Sequence, residues 1–403
     1  MKEICLAPDF YSQFQCKGGD CRYTCCQDWE IPVSKNEYHK LRNIRIQDDK
    51  KMQDTIRNLF HRTKGGSDLQ YADLVLDNQR ICPLLSEEGF CSLQSQCGFN
   101  FLPDICKSFP RQLTVKPAKE AGLSTACEKV VELLLNRTES LKFQMTEAEK
   151  LISALIVVPE NPLCEYYSDI RTLCIWILQN QEYPFGDRMI LLGLALKDLA
   201  ELEAAKAVDQ VPLWFVKWQQ LPQDQSQKEA LAKIQPNYSM LVPNSAQITF
   251  MVQSTHSSYK NMMDQVFSNL GIEMQISEEG KIIIHSNIDT YREALAHFEE
   301  TFPQHELIWE NIMVHLFFTY GYPFSEEGGI WDSYRNFCSL YSLLKFTCIG
   351  YMADKDSLQD LEYGITEFSR NTIHNTVLKR KIFDLLKWFS SDSLAHLSIL
   401  VKG

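Results

Sequence analysis

The sequence predicts a mainly α protein in two parts: a small cysteine-rich metal-binding module over residues 1–135, then a multi-helix body over 136–403 with at most a minor β hairpin. Three observations predict it. Ten of the fourteen cysteines fall within the first 127 residues. The same segment is punctuated by Gly18, Gly19, Gly65, Gly66, Pro83, Gly89, Gly98, Pro103, Pro110 and Pro117, which leaves room only for short elements between loops. Beyond Cys127 the apolar residues settle into three- and four-residue spacing, the period of an amphipathic helix.

In chain order, the stretch 35–61 carries Tyr38, Leu41, Ile44, Met52, Ile56 and Leu59 at helical spacing and predicts one or two helices between the early and late cysteines. The body predicts helices near 130–135, 148–158, 170–178, 188–205, 259–270, 291–300, 307–320, 333–352 and 377–389. Two β-favouring runs interrupt them, 247–253 and 281–285, the second after a Glu278-Glu279-Gly280 turn signal. Linkers are expected at 159–162 and 221–226, and no internal repeat or low-complexity tract stands out.

A hydrophobic content of 45% is enough for ordinary buried cores, and 403 residues is the length of two or three domains. No apolar run approaches the ~18 residues that suggest a spanning helix, so no membrane is expected. The net charge of −12 argues against nucleic acid, which calls for clustered Lys and Arg. It is compatible with a lysine-bearing protein substrate, although simple solubility is the plainer explanation.

The residues after Met1 contain no apolar stretch of signal-peptide length, so a cytoplasmic location is expected. Thiols there are kept reduced, and a dense cysteine group reads as metal-binding rather than as a disulfide framework. The expected metal ligands are Cys16, Cys21, Cys25, Cys26, Cys82, Cys91, Cys106 and Cys127. Cys5 and Cys97 are set aside as bystanders, and Cys164, Cys174, Cys338 and Cys348 as buried thiols on apolar helices. Only His39 and His61 lie within the module, which favours all-thiolate coordination. Zinc takes four such ligands, iron–sulfur clusters are held by cysteine thiolates, and spacing does not choose between two four-cysteine sites and one cluster with spare thiols. His315 and His374, on apolar helical stretches, read as core or surface histidines.

The run 11–31 (YSQFQCKGGDCRYTCCQDWEI) resembles the opening of the flagellin lysine-N-methylase family, with its N-terminal zinc- or iron-chelating module and helical body. Similar to its further signatures are Cys82-Pro83, Gly89-Phe90-Cys91, Leu102-Pro103-Asp104 with Cys106, Phe109-Pro110-Arg111, and Ser124 through Cys127. A looser match runs from Trp309-Glu310-Asn311 to Tyr322-Pro323-Phe324. The sequence departs from the pattern at Glu128-Lys129, where a proline and an acid are expected, and at Cys97, usually apolar.

The resemblance implies a protein-lysine N-methyltransferase that transfers methyl groups from S-adenosylmethionine to surface lysines of flagellin and depends on a 4Fe-4S cluster, one or two per chain, with zinc as the alternative metal. Neither a Rossmann glycine loop nor the C-x-x-x-C-x-x-C spacing of radical enzymes is present. Candidate donor contacts are Trp29, able to stack on an adenine, and Arg111, able to bond cluster sulfurs or a carboxylate; no catalytic residue is assigned. The alternative is a non-catalytic zinc- or iron–sulfur-stapled scaffold whose helical body binds a partner.

Overall fold

A computed structural model of the chain describes residues 2–28, 31–46, 49–149, 155–220, 225–251, 256–277, 282–373, 380–382, 384 and 393–403. The expected helix at 377–389, the Glu278-Glu279-Gly280 turn, Trp29 and His374 lie wholly or mostly outside these residues.

The N-terminal half alternates short elements: β1 (Lys2–Pro8), β2 (Pro32–Val33), α1 (Lys35–Arg42), α2 (Lys50–Asn58), β3 (Phe60–Arg62), β4 (Ala72–Leu74), α3 (Ser92–Cys97), α4 (Asp104–Ser108), β5 (Arg111–Thr114), β6 (Glu120–Leu123), α5 (Glu128–Leu135), β7 (Phe143–Glu149) and β8 (Leu155–Ile156). The body continues with α6 (Tyr167–Leu178), α7 (Phe185–Ala205), α8 (Val211–Trp218), α9 (Gln225–Ala232), α10 (Tyr238–Met251) and α11 (Ser257–Asn269). After the hairpin β9 (Glu273–Ile276) and β10 (Ile282–His285) come α12 (Ile288–Thr301), α13 (His305–Thr319), α14 (Ile330–Met352), α15 (Leu358–Phe368) and α16 (Leu394–Lys402).

The chain is mainly α, as expected, and seven of the nine body helices fall where the apolar period places them. Three expectations differ. The stretch 148–158 is strand at both described ends, β7 and β8, because its residues add edges to a sheet rather than a face to a bundle. The β-favouring run 247–253 is helical as far as Met251: Ile248 and Thr249 are buried among the body helices, and tertiary packing overrides local preference. Finally, the β content exceeds a single hairpin. A five-stranded sheet of order β7-β1-β6-β5-β8 forms at the junction of the two parts, with a three-stranded sheet, β2-β4-β3, inside the module.

Two hydrophobic clusters result. Fifteen buried residues between Ile31 and Leu102 form a small core of their own. The larger core runs from Cys5 to Val401, so the first strand and the segment around Cys127 pack with the helical body. At its centre lies α14, buried along most of its length. Its N-terminus is met by the Glu203 carboxylate of α7, which accepts from the Ile330 N–H at 2.9 Å, the sign of charge a helix start favours.

His315 is a core histidine, fully buried, with Nε2 2.6 Å from the Leu123 carbonyl. Burial lowers its pKa to about 4. The unfolded chain, with an imidazole pKa near ~6.5, therefore binds more protons than the native state between those values, and this contribution to stability is present above pH 6.5 and lost as pH falls toward 4. His315→Leu is expected to flatten the pH dependence of the denaturant midpoint in that window. An unchanged slope would assign the acid sensitivity to other groups.

Candidate metal centre

All eight cysteines of the sequence pattern line one cavity of about 490 Å³. Cys5, Cys97, Cys164, Cys174, Cys338 and Cys348 do not line it, and Cys5, Cys174, Cys338 and Cys348 are buried elsewhere. Within the cavity Cys82 and Cys127 are buried and Cys21, Cys26 and Cys91 half-buried; Cys16, Cys25 and Cys106 present surface to it, although the thiols of Cys25 and Cys106 are crowded on most sides by protein.

Each thiol is held by a definite piece of local structure. The doublet loop is zipped to the segment before Cys82: the Cys82 N–H donates to the Cys26 carbonyl at 2.8 Å, Gln27 bridges Ile81, and the Asp28 N–H donates to the Arg80 carbonyl at 2.9 Å. Arg80 then clasps the Asp28 carboxylate at 3.0 Å. After Cys82-Pro83 the chain turns back through Gly89, whose φ of +80° suits glycine, and Leu85 pairs with Cys91. A Cβ on Gly89 would lie 2.8 Å from the Gly19 Cα, so this turn packs backbone to backbone against the first cysteine loop.

Cys91 stands at the N-cap of α3 and Cys127 at that of α5, where free N–H groups favour a thiolate. Cys106 rides on α4, whose Asp104 N–H donates at 2.6 Å to Glu37. Glu37 also forms the capping box of α1 with Ser34, so one carboxylate fixes α1 and α4 together.

The remaining side is supplied by residues that spacing does not reveal. Glu128 accepts from the backbone N–H groups of Arg22 and Tyr23, and thereby holds the turn between Cys21 and Cys25 against α5. Lys17 lies 2.8 Å from Glu132 and 2.9 Å from Glu362. Arg370, in the π-helical turn Ser369–Ile373 after α15, donates to the carbonyls of Ala126 at 2.9 Å and Tyr23 at 2.7 Å. A lone arginine 347 residues from its partner carries no sequence signal. Arg111 lines the cavity as expected, its guanidinium 5.2 Å from the Phe14 ring centroid. Trp29 lies outside the described residues.

The electrostatics are those of crowded thiols. Burial pushes Cys21 and Cys82 up to about 12 and Cys127 to about 11, and it also raises Cys91 and Cys106. Cys25, hydrogen-bonded to Cys26 and buried, is raised, while the same bond brings Cys26 down to about 7. Enclosed thiols this hard to ionise need a cation if they are to become thiolates together. Among the described residues, no three His, Cys, Asp or Glu side chains gather closely enough to cage a single ion. Tetrahedral zinc, with Zn–S near ~2.3 Å, would draw its sulfurs to roughly 3.8 Å from one another. The thiols face a shared volume, which suits a multi-atom cluster better than one ion.

Beside the doublet a second cleft, about 550 Å³, is lined by Arg22, Tyr23, Gln27 and Asp28 from the module and by Ser258, Tyr351 and Tyr363 from the body. The Tyr23 hydroxyl donates to Asp28, and the Ser258 hydroxyl bridges Tyr23 and Glu367, 2.8 Å from each. Burial raises Tyr23 to about 12, and it raises the Glu367 carboxyl as well. The looser sequence block resolves into structural roles: Glu310 is buried against Arg188 at 2.5 Å, and Asn311 accepts from the Leu141 N–H at 2.8 Å.

No helix among the described residues is long and apolar enough to cross a membrane. No curated protein and no solved structure matches the chain. A family model does match: the FliB lysine N-methylase C-terminal domain covers residues 171–400, from α6 through α16. That is the helical body, where the residue-level resemblance is looser, and it takes in more than half of the 403 residues. The chain belongs to the FliB lysine N-methylase family.

Proposed function

We propose that the protein is an S-adenosylmethionine-dependent lysine N-methyltransferase acting on surface lysines of flagellin in the cytoplasm, with an iron–sulfur cluster of the 4Fe-4S type held by its N-terminal cysteines. Family membership supports the reaction class. The observation that carries the metal reading is that all eight thiols of the sequence pattern, and none of the other six, line one cavity. When bound, the cluster would be held by the thiolates of the eight cavity cysteines and would fix the loops of the module against one another.

Methyl transfer from a sulfonium to an amine needs alignment and a neutral lysine. The cleft beside the doublet is suited to the second: the chain Asp28–Tyr23–Ser258–Glu367 leads from its wall into the interior, a path along which a lysine proton can leave. Tyr23→Phe interrupts that path without touching a thiol. It is expected to lower kcat by roughly 10²–10⁴, the usual contribution of acid–base help, with metal content unchanged. Full activity would remove the path from the mechanism.

The direct test is anaerobic protein, methyl-labelled donor and purified flagellin. Label on flagellin lysines that requires bound iron supports the reading. Bound metal with no transfer to any lysine would move the chain to the stapled-scaffold alternative.

A further inference from the structure

We infer that the eight cysteines form two separate four-thiolate centres, Cys16, Cys21, Cys25 and Cys127 in one and Cys26, Cys82, Cys91 and Cys106 in the other, joined through the single peptide link of the doublet. This rests on the metal reading above and deepens it.

The backbone divides them first. Cys26, Cys82 and Cys91 belong to one hydrogen-bonded mat: Cys82 donates to Cys26, Leu85 donates to the Cys82 carbonyl at 3.0 Å, and Leu85 bridges Cys91. Cys127 belongs to the other side. Glu128, the next residue, holds the N–H groups of Arg22 and Tyr23, and Arg370 ties the Tyr23 carbonyl to that of Ala126, so the Cys21–Cys25 turn and the start of α5 form one unit.

Proximity of the thiols divides them the same way. Cys21 lies within electrostatic reach of Cys16 and Cys127, and Cys25 of Cys16 and Cys127. Cys106 feels Cys26, Cys82 and Cys91, while Cys82 feels Cys26 and Cys91. The link between the groups is the hydrogen bond between Cys25 and Cys26. Neighbouring side chains in a tight loop diverge, so a doublet serves two centres more readily than it chelates one. Four thiolates is also the complement of a cubane cluster, and the division leaves no cavity thiol over.

The test is metal and sulfide content of the full chain purified without oxygen. Two centres predict about eight iron and eight sulfide per chain, against about four of each for one cubane. Cys21→Ala and Cys106→Ala are each expected to lose about half, the double variant nearly all, and Cys97→Ala nothing. The two half-loaded variants should differ in visible and electron-paramagnetic spectra, with Cys25→Ala matching Cys21→Ala and Cys26→Ala matching Cys106→Ala. About four iron in the unaltered protein, with one group's variants losing all of it and the other's none, would overturn the division. Should a variant fail to fold, the wild-type count decides alone. About two zinc with the same half-and-half losses would uphold the division and remove the iron–sulfur reading; methyl transfer, measured separately, bears only on the latter.

Discussion

On the proposed metal reading, stripping the metal with a chelator under reducing conditions is expected to unfold the cysteine module while leaving the helical body folded, and to abolish methyl transfer. The module's own core is fifteen buried residues between Ile31 and Leu102, spread over short helices and two- to three-residue strands. So small a core seldom yields more than ~3–5 kcal/mol, while structural metal in small domains contributes on the order of 10 kcal/mol. Metal loss also leaves eight thiols around a cavity of about 490 Å³ with nothing between them. The body has a core running across α5 to α16, in which Cys127 is the one proposed ligand to take part. Hydrogen exchange read by peptide mass spectrometry distinguishes the two: protection should disappear across 16–110 and persist across 167–205 and 305–352. Retained protection in the module would show that its fold needs no metal, and the cysteines would then be sought in a role other than stapling.

Arg171→Met is expected to destabilise the body by about 3–5 kcal/mol, the usual cost of leaving one partner of a buried ion pair behind. The guanidinium is fully buried and lies 2.9 Å from Glu120 of β6. It also donates to the carbonyls of Phe318 at 2.8 Å, Phe317 at 3.3 Å and Tyr322. Those carbonyls lie at the C-terminal end of α13 and just beyond it, where positive charge is favoured. One side chain on α6 thus joins the sheet that leads to Cys127 to the helix that carries the family-like block at Trp309. Adding Glu120→Gln to Arg171→Met removes the stranded charge and should restore part of the loss in urea denaturation. Equal stability of wild type and single variant would mean that the pair contributes nothing net.

Much of this was legible in the chain. The body helices α6, α7 and α11–α14 follow from apolar spacing, because a helix that packs on one side must repeat near 3.6 residues. The eight cysteines that spacing picks out line one cavity, and the thiols set aside as bystanders do not line it. The strands escaped for a physical reason. The partners β1 and β7 lie more than a hundred residues apart, from Lys2 against Glu149 to Pro8 against Phe143, and no local pattern announces such a pairing.

By itself, the sequence determined which residues are chemically able to hold metal and which faces are apolar, since both depend on residue type and short-range period. Tertiary structure alone decided which backbone segments each thiol loop is tied to, and that Arg370 and Glu128 brace the loop between Cys21 and Cys25. Those are contacts made across 105 to 347 residues of chain. They exist only once the larger core has folded α5 and α15 against the module, because hydrogen-bond geometry over that separation is set by packing and not by spacing.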